Sequence, residues 1–280
     1  MRMKTQKSDF TIVVVCTVIL AAGAVVMASD KLQIDGSTTV GPIADAFTEA
    51  FRATHPNIAI TVSKTGSGDG AAALVDNRCD IAMMSRFMKE SEFKRAVENG
   101  VLPVAHVIAM DGVCVVLHPS NPIQEMTTEQ VRGIYAGRIT NWSQVGGVNR
   151  PIVVISRDTS SGTYESFNEM VMNKEKMADH VEYVNSNPQA HARVRSTEGA
   201  IGYVGIGFLD RYVKPVKLDG VTPSRSTIAR GIFPVSRPLF LFTNGYPKLG
   251  SPAHAFVTFH LTEQGQEIIE SKGFVPLTEY

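Results

Sequence analysis

The chain has 280 residues, and its 27 basic and 27 acidic side chains give a formal net charge of zero. This balance argues against a nucleic-acid-binding protein, because such proteins carry an excess of Lys and Arg, and the basic residues here do not cluster into a run. The length allows one large domain or two of ordinary size, with ample room for an apolar core.

The N-terminus has the pattern of a secretory signal peptide. Three basic residues within the first seven positions precede an apolar run from 10 to 27, and small residues before Ser29 are typical of a cleavage site. The run is short for a membrane span, which favours a cleaved peptide over an uncleaved anchor. We predict a signal peptide at residues 1–28 and a periplasmic protein. Its removal leaves 24 basic and 26 acidic residues, so any anion must be bound by a local site.

Short β-rich runs alternate with helical runs in the first part of the mature chain. They are KLQID with PIADAFTEAFRATHP, IAITVSK with AAALVDNR, and DIAMMS with MKESEFKRAVENG. In the first helix Ala46, Phe47, Ala50 and Phe51 recur at helical spacing, and a proline follows the helix. The alternation predicts an α/β protein with a mostly parallel sheet, in which ligands bind at the carboxyl ends of the strands.

The same pattern continues to the C-terminus. The predicted strands are VLPVAHVIA, GVCVVLHPSNP, PIVVISR, AIGYVGIGF and FPVSRPLFLFTN. One helix is predicted to begin at Thr127 or Thr128, and another to span residues 251–271. No low-complexity linker or internal repeat divides the sequence, and this fits two lobes interleaved by crossing strands at least as well as two separate domains.

Two cysteines, Cys79 and Cys114, remain after removal of the signal peptide, each within an apolar segment. An oxidising compartment permits a disulfide between them, but we favour buried free thiols. The histidines are scattered, and His180 and His191 have neither helical ligand spacing nor a third ligand nearby. We expect no metal and no cofactor.

Four loops rich in Ser, Thr and Gly follow predicted strands. They are GSTTVGP at 36–42, TGSGDG at 65–70, Ser85 with Arg86, and RDTSSGT at 157–163. Three of them precede a helix, where backbone N–H groups bind anions, and the hydroxyls add donors. Ser and Thr at one helix start are also ordinary N-caps, but four such loops together predict a site for a small tetrahedral oxyanion.

The two arginines of these loops differ in how strongly they indicate a site. Arg157 follows an apolar strand and precedes a Ser-rich turn, a position that favours a ligand over a solvated residue, and its guanidinium offers a charge with two-pronged geometry. Arg86 is either a ligand or the partner of Asp80, Glu90 or Asp69 at the border of the pocket.

The order of DGSTTVGPIADAF, SGDGAAAL, DIAMMSR, RDTSSGTYESF, EGAIGYVG and FPVSRPLF resembles the periplasmic phosphate-binding proteins, the receptors of ABC-type phosphate importers. The resemblance spans the mature chain from about Lys31, and Arg-(x)3-Ser-Gly-Thr is its most specific element. It implies a type II solute-binding fold, in which two α/β lobes joined by crossing strands close over one dehydrated phosphate. The implied partners are inorganic phosphate and the membrane permease subunits, with the receptor itself a monomer.

Site residues and lobes also follow from the resemblance. The phosphate-binding residues carried over by motif are Ser37, Thr38, Thr39, Ser67, Ser85, Arg157, Ser161, Gly162 and Thr163. We expect one lobe to comprise residues 29–111 and 218–280, and the other residues 112–217.

One position departs from the family pattern. Longer members have an aspartate directly after the third-loop serine, where it accepts a proton of phosphate and so rejects sulfate; here that residue is Arg86. Asp69, in a loop rich in donors, is our candidate for this role. The alternatives for Asp69 are an N-cap of a helix that starts at Ala71, or a partner of Arg86. A receptor for sulfate or another oxyanion therefore stays open.

Two other classes of function have partial motifs. GSGDGA at 66–71, with Asp80 beyond it, fits a dinucleotide-binding fingerprint, but it follows the second strand and the acid comes too early. SEFK at 91–94 and KTG at 64–66 match elements of penicillin-recognising serine hydrolases, but in reverse order. No histidine is placed beside Ser161 by the sequence, so we predict a binding protein and not an enzyme.

Overall fold

The computed structural model describes residues 31–278 of the protein. The predicted signal peptide at residues 1–28 lies outside the described residues. Between residues 31 and 278, no helix combines the length and the apolar character that a membrane crossing requires.

Strands and helices alternate along the described chain as the sequence predicts. The strands are β1 Lys31–Gly36, β2 Ala59–Ser63, β3 Ile81–Met84, β4 Pro103–Leu117, β5 Glu125–Met126, β6 Val153–Arg157, β7 Glu182–Val184, β8 Ala200–Gly205, β9 Lys214–Pro215, β10 Lys217–Leu218 and β11 Ser236–Asn244. The α-helices are α1 Gly41–Thr54, α2 Ser67–Val75, α3 Glu90–Glu98, α4 Thr128–Tyr135, α5 Gly162–Met170, α6 Asn187–Ser196, α7 Arg225–Ala229, α8 Pro252–Thr258 and α9 Glu263–Ser271.

One mixed sheet forms the centre of the fold. Its strand order is β2-β1-β3-β11-β4-β8-β6-β7, with β9 paired to β4, and β5 and β10 form a separate pair. β1 is parallel to β2 and β3, and β6 is parallel to β7 and β8. β11 and β4 run antiparallel to each other and to their neighbours. The α/β fold therefore has two lobes: the first is built on β1–β3, the second on β6–β8.

β4 crosses from one lobe to the other. It pairs with β11 from Pro103 to Gly112 and with β8 from Val113 to Leu117. The prediction of two separate strands here was wrong, because the backbone stays extended through Asp111 and Gly112. The predicted lobe boundary between residues 111 and 112 falls inside this strand, and the one between 217 and 218 falls inside β10. Both boundaries stay predictions.

The first helix is packed as its periodicity predicts. Pro42 lies in the first turn of α1, where a missing N–H leaves no hydrogen bond unmade. Phe47 and Phe51 are buried, and both make edge-to-face contacts with Phe256 of α8, with ring centroids 6.2 and 5.8 Å apart. This packing holds α1 against α8.

Helix starts follow local capping signals, and one of them divides the C-terminal helix. At α4, Thr127 Oγ1 accepts the N–H of Gln130, so Thr127 is the predicted cap. The single helix predicted over 251–271 is wrong: α8 is followed by a 3₁₀ turn and then by α9. Thr262 is extended at this break, and its Oγ1 accepts the N–H of Gly265. Its hydroxyl therefore caps α9 as a new helix.

Cys79 and Cys114 are both buried free thiols, as we favoured. They belong to different apolar clusters of the core. Burial raises the pKa of Cys79 to about 12, and the negative charges of Asp35 and Asp80 add to the effect. Burial also raises the pKa of Cys114, so neither thiol ionises readily at neutral pH.

Candidate functional site

Strand β6 ends at Arg157, the central arginine of the predicted site. Arg157 is only 1% exposed. Its Nε donates to the carbonyl of Val184 at 3.3 Å and its Nη2 to that of Asn185 at 2.9 Å, while Nη1 is buried without a hydrogen-bond partner. Burial lowers the pKa of Arg157 to about 10, so the guanidinium is still protonated at neutral pH. One charged donor is thus held inside the protein with a free N–H.

Ser161 starts α5. Its Oγ accepts the backbone N–H groups of Thr163 and Tyr164, both at 3.2 Å, as an N-cap does. The hydroxyl proton of such a cap is still available to a ligand, because the oxygen uses only its lone pairs for the backbone. Ser161 therefore combines the ordinary capping role with a free donor at the helix N-terminus.

Thr39 and Thr163 bring the two lobes into contact. Their Oγ1 atoms lie 3.0 Å apart, and both side chains are buried. Asn187, at the start of α6, donates its amide to Thr38 Oγ1 at 3.2 Å and to Thr39 Oγ1 at 2.9 Å. Asn187 was not among the predicted residues, although the Ser-Asn-Pro sequence at the start of its helix is a start signal.

Ser67 and Ser85 form a second buried hydroxyl pair, with Oγ atoms 3.2 Å apart. The Ser85 N–H also donates to Ser67 Oγ at 3.0 Å. Gly162 lies directly against them: a Cβ at this position would fall 2.5 Å from Ser67 Oγ and 2.6 Å from Ser85 Oγ. Only a glycine lets the N-terminus of α5 approach the first lobe so closely.

Ser37 is committed to the turn before α1. Its Oγ accepts the N–H groups of Thr39 at 3.1 Å and Val40 at 3.4 Å, and its own N–H donates to the Met83 carbonyl. The preceding Gly36 has a φ of +131°, and a Cβ there would lie 2.2 Å from the Met83 oxygen. This turn aims the start of α1 at the same region as the other loops.

Arg86 and Asp69 lie at the border of the cluster. Arg86 forms a two-pronged ion pair with Glu92, at 2.7 and 2.8 Å, and donates to the Phe87 carbonyl. The predicted partners of Arg86 were therefore wrong, because α3 places Glu92 against the guanidinium. Asp69 is exposed in the first turn of α2, which begins at Ser67, so Asp69 is not an N-cap.

Two buried charged side chains that were not predicted lie on β4 and β11 and contact the cluster. Arg237 of β11 donates through Nε and Nη2 to Asp111 of β4 at 3.0 and 2.8 Å. Its Nη1 donates to the Gly162 carbonyl and its Nη2 to Thr163 Oγ1, each at 3.0 Å. The charged residue inside the apolar FPVSRPLFLFTN strand was the signal in the sequence. Arg237 thereby fixes the N-terminus of α5.

The partial motifs of a serine hydrolase and of a dinucleotide-binding protein do not form a site in the structure. Ser91 and Lys94 are both exposed on α3. Asp80 accepts the Gln33 N–H at 2.8 Å and so supports the backbone of β1. Within residues 31–278, no hydrogen bond connects Ser161 to a histidine. The cluster offers hydrogen-bond donors and positive charge, and it contains no nucleophile paired with a base.

Comparisons with known proteins identify the family of the chain. Residues 24–264 match the family model described as the PBP superfamily domain. The phosphate-binding protein PstS of Staphylococcus saprophyticus is 33% identical over 264 residues, which cover 88% of this chain and 80% of that protein.

Two crystal structures are also similar. One, from Clostridium perfringens, is described as a phosphate ABC transporter substrate-binding protein with bound phosphate; it has a TM-score of 0.81 and 32% identity, covering 88% of this chain and 99% of that one. The other, an ABC-type phosphate transport receptor from Vibrio cholerae, has a TM-score of 0.71 and 32% identity over 87% of this chain and 99% of its own. The chain therefore belongs to the PBP superfamily and, within it, to the family of the PstS phosphate-binding proteins.

Proposed function

We propose that the protein is an extracytoplasmic receptor that binds inorganic phosphate between its lobes and delivers it to the permease subunits of an ABC importer. The proposal rests on the finding that Nη1 of Arg157, a charged donor, is buried and has no hydrogen-bond partner in the described chain. Leaving such a group unsatisfied costs about 1–3 kcal/mol or more. An oxyanion beside the N-terminus of α5 satisfies it.

The remaining donors suit a tetrahedral ligand. Hydroxyl groups from both lobes surround the same helix start, and the helix dipole adds favourable potential for an anion. They belong to Thr38, Thr39, Ser67, Ser85, Ser161 and Thr163. We assign these residues and Arg157 as phosphate ligands, and we leave Asp69 and Arg86 out because one is exposed and the other is paired with Glu92.

Lobe closure is the proposed mechanism of capture. The donors of the first lobe belong to the starts of α1 and α2 and the end of β3, and those of the second to the start of α5. A ligand that touches both groups favours the closed state over the open one, because only the closed state offers all contacts at once. β4, which crosses between the lobes, and β11, which pairs with it, are the segments about which closure takes place.

The family supports receptor function over catalysis, since its characterised relatives are described as binding proteins. We infer that residues 1–28 direct export, that the mature protein works as a monomer outside the cytoplasmic membrane, and that it has no enzymatic activity. A receptor for sulfate is the alternative, because sulfate has the same shape and differs in lacking a proton.

Calorimetric titration of the mature protein, stripped of bound anions, tests the proposal. We expect one phosphate per chain. Sulfate binding without phosphate binding would assign the protein to another oxyanion, and no binding of either anion would overturn an oxyanion receptor altogether.

A further inference from the structure

Two adjacent residues of the candidate site each leave one buried polar atom without a partner. Within residues 31–278, such atoms are Thr48 Oγ1, Arg157 Nη1 and Asp158 Oδ2. Asp158 Oδ2 lies 4.0 Å from Nη2 of Arg157, which is within reach of an ion pair but too far for a hydrogen bond. Because Nη1 and Nη2 share one carbon, the free donor and the free acceptor are close neighbours.

The rest of the Asp158 side chain is held firmly. Its Oδ1 accepts the N–H of Ser160 at 2.9 Å and the Ser160 hydroxyl at 2.6 Å. The Asp158 carbonyl accepts the N–H of Ser161, which closes the turn before α5. The side chain as a whole is 27% exposed, yet Oδ2 itself is buried. The carboxylate is therefore fixed by one oxygen and presents the other inside the protein.

Other acids around the cleft do not offer such an oxygen. Glu92 is paired with Arg86, Asp111 with Arg237, and Glu165 with Lys89 at 2.8 Å. Asp69 is exposed. Among the described residues at this site, Asp158 is thus the acid with a buried oxygen that accepts no hydrogen bond.

A carboxylate oxygen only accepts hydrogen bonds, and a guanidinium only donates them. One ligand satisfies both if it has an unprotonated oxygen for Arg157 and a hydroxyl for Asp158. Monohydrogen phosphate has both kinds of oxygen, whereas sulfate at neutral pH has acceptors alone. We propose that Asp158 determines the specificity of the site: its Oδ2 accepts a hydrogen bond from the protonated oxygen of the bound anion. This inference rests on the proposed function and adds the protonation state of the ligand.

Closure of the lobes positions this acceptor. The Ser160 carbonyl accepts the N–H of Gly68, in the first turn of α2, at 2.9 Å. Ser160 therefore holds Asp158 on one side and contacts the first lobe on the other. The contact is made only when the lobes are together. In this closed state the carboxylate faces the ligand, and a carboxylate oxygen that receives no hydrogen bond from the ligand is most unfavourable there.

The experiment compares wild type with Asp158→Asn by calorimetric titration at neutral pH. The ligands are phosphate and arsenate, which carry a proton, and sulfate and molybdate, which do not. We expect wild type to bind the first two and to reject the others. Asparagine keeps an oxygen for Ser160 and replaces Oδ2 with an amide donor. The ratio of phosphate to sulfate affinity should then fall at least about tenfold.

Three further variants complete the design. Asp179→Asn is the matched control at an exposed acid that pairs with Lys176, and it should keep the wild-type ratio. Ser160→Ala removes the hydroxyl donor to Oδ1 but keeps the carboxylate, so discrimination should persist. Asp69→Asn tests the rival acceptor. Thermal unfolding of each variant reports whether it is folded.

Several outcomes overturn the assignment: an unchanged ratio in folded Asp158→Asn, loss of discrimination in Asp69→Asn instead, or wild type that binds sulfate as tightly as phosphate. The last result needs no variant. If wild type binds phosphate in any of these cases, the proposed function stands and only the role of Asp158 is overturned. If wild type does not bind phosphate, the proposed function and the role of Asp158 are both overturned.

Discussion

Gly162 lies against Ser67 so closely that a Cβ on the glycine would come within 2.5 Å of the serine Oγ. The two residues belong to different lobes and to the first turns of different helices, α5 and α2. Their contact brings two helix N-termini together at the predicted anion site, and the absence of a side chain at residue 162 is the condition for it.

We predict that Gly162→Ala hinders lobe closure. Overpacking of a tight contact costs about 1–3 kcal/mol, so phosphate affinity should fall about 5- to 150-fold while each lobe stays folded. Small-angle scattering with and without phosphate measures closure, and calorimetry measures affinity. If the variant contracts on adding phosphate as wild type does, Gly162 does not control the approach of the lobes.

Arg157→Ala should abolish detectable phosphate binding, whereas Ser161→Ala should only weaken it. Removing the buried countercharge of an anion costs about 3–5 kcal/mol, and loss of one hydroxyl donor about 1 kcal/mol. Arg150→Ala is a matched control, because this arginine forms an ion pair with Glu198 and is 41% exposed. Titration of the three variants checks the order; equal, small effects of Arg157→Ala and Ser161→Ala would contradict the assignment.

The Asp111–Arg237 pair should stabilise the whole fold, because it joins β4 and β11 in the core. Arg237→Met leaves a buried carboxylate uncompensated, and we expect a loss of about 3–5 kcal/mol in the free energy of unfolding. Chemical denaturation measures it. Burial raises the pKa of Asp111, and the charge of Arg237 opposes this effect. Without Arg237 the folded carboxyl binds its proton more tightly, so the deficit should grow as the pH rises.

Arg193→Met is the control for this experiment. Arg193 pairs with Glu182 at the surface, where exposed ion pairs contribute about 0–1 kcal/mol. A loss in Arg237→Met no larger than in this control would mean that the buried pair contributes no more than a surface pair.

Acidification should destabilise the protein through two histidines near the end of β11. Burial lowers the pKa of His106 and of His260, and the charge of His260 lowers the pKa of His106 further. The unfolded chain then binds more protons than the folded one below the ordinary histidine pKa of about 6.5. The free energy of unfolding should therefore fall as the pH decreases from about 7.5 to 5.5.

Urea unfolding across this pH range checks the effect of the histidines. The double variant His106→Gln/His260→Gln should show a smaller dependence on pH, because glutamine does not titrate. His55→Gln, at a histidine outside the pair, is the control for the loss of one imidazole. An identical slope in the double variant would assign the acid sensitivity to other groups.

Local signals in the sequence were sufficient for the fold class. Capping hydroxyls such as Thr127 and apolar periodicity such as Phe47 with Phe51 act within one element, so they can be interpreted without the rest of the chain. The same holds for the loops of the site, since each follows one strand and three of the four precede a helix. The break at Thr262 was missed although its signal is local, because Thr and Glu also occur inside helices.

The sequence by itself determined which loops are rich in donors, that Arg157 follows a strand, and that the pattern is α/β. Tertiary structure decided which residues meet: Arg237 contacts Gly162 over a separation of 75 residues, and Asn187 contacts Thr38 over 149. It also decided that Arg86 is paired with Glu92 and that Asp158, not Asp69, has a buried free oxygen. Burial and pairing depend on neighbours distant in sequence, and only the packed lobes bring them together.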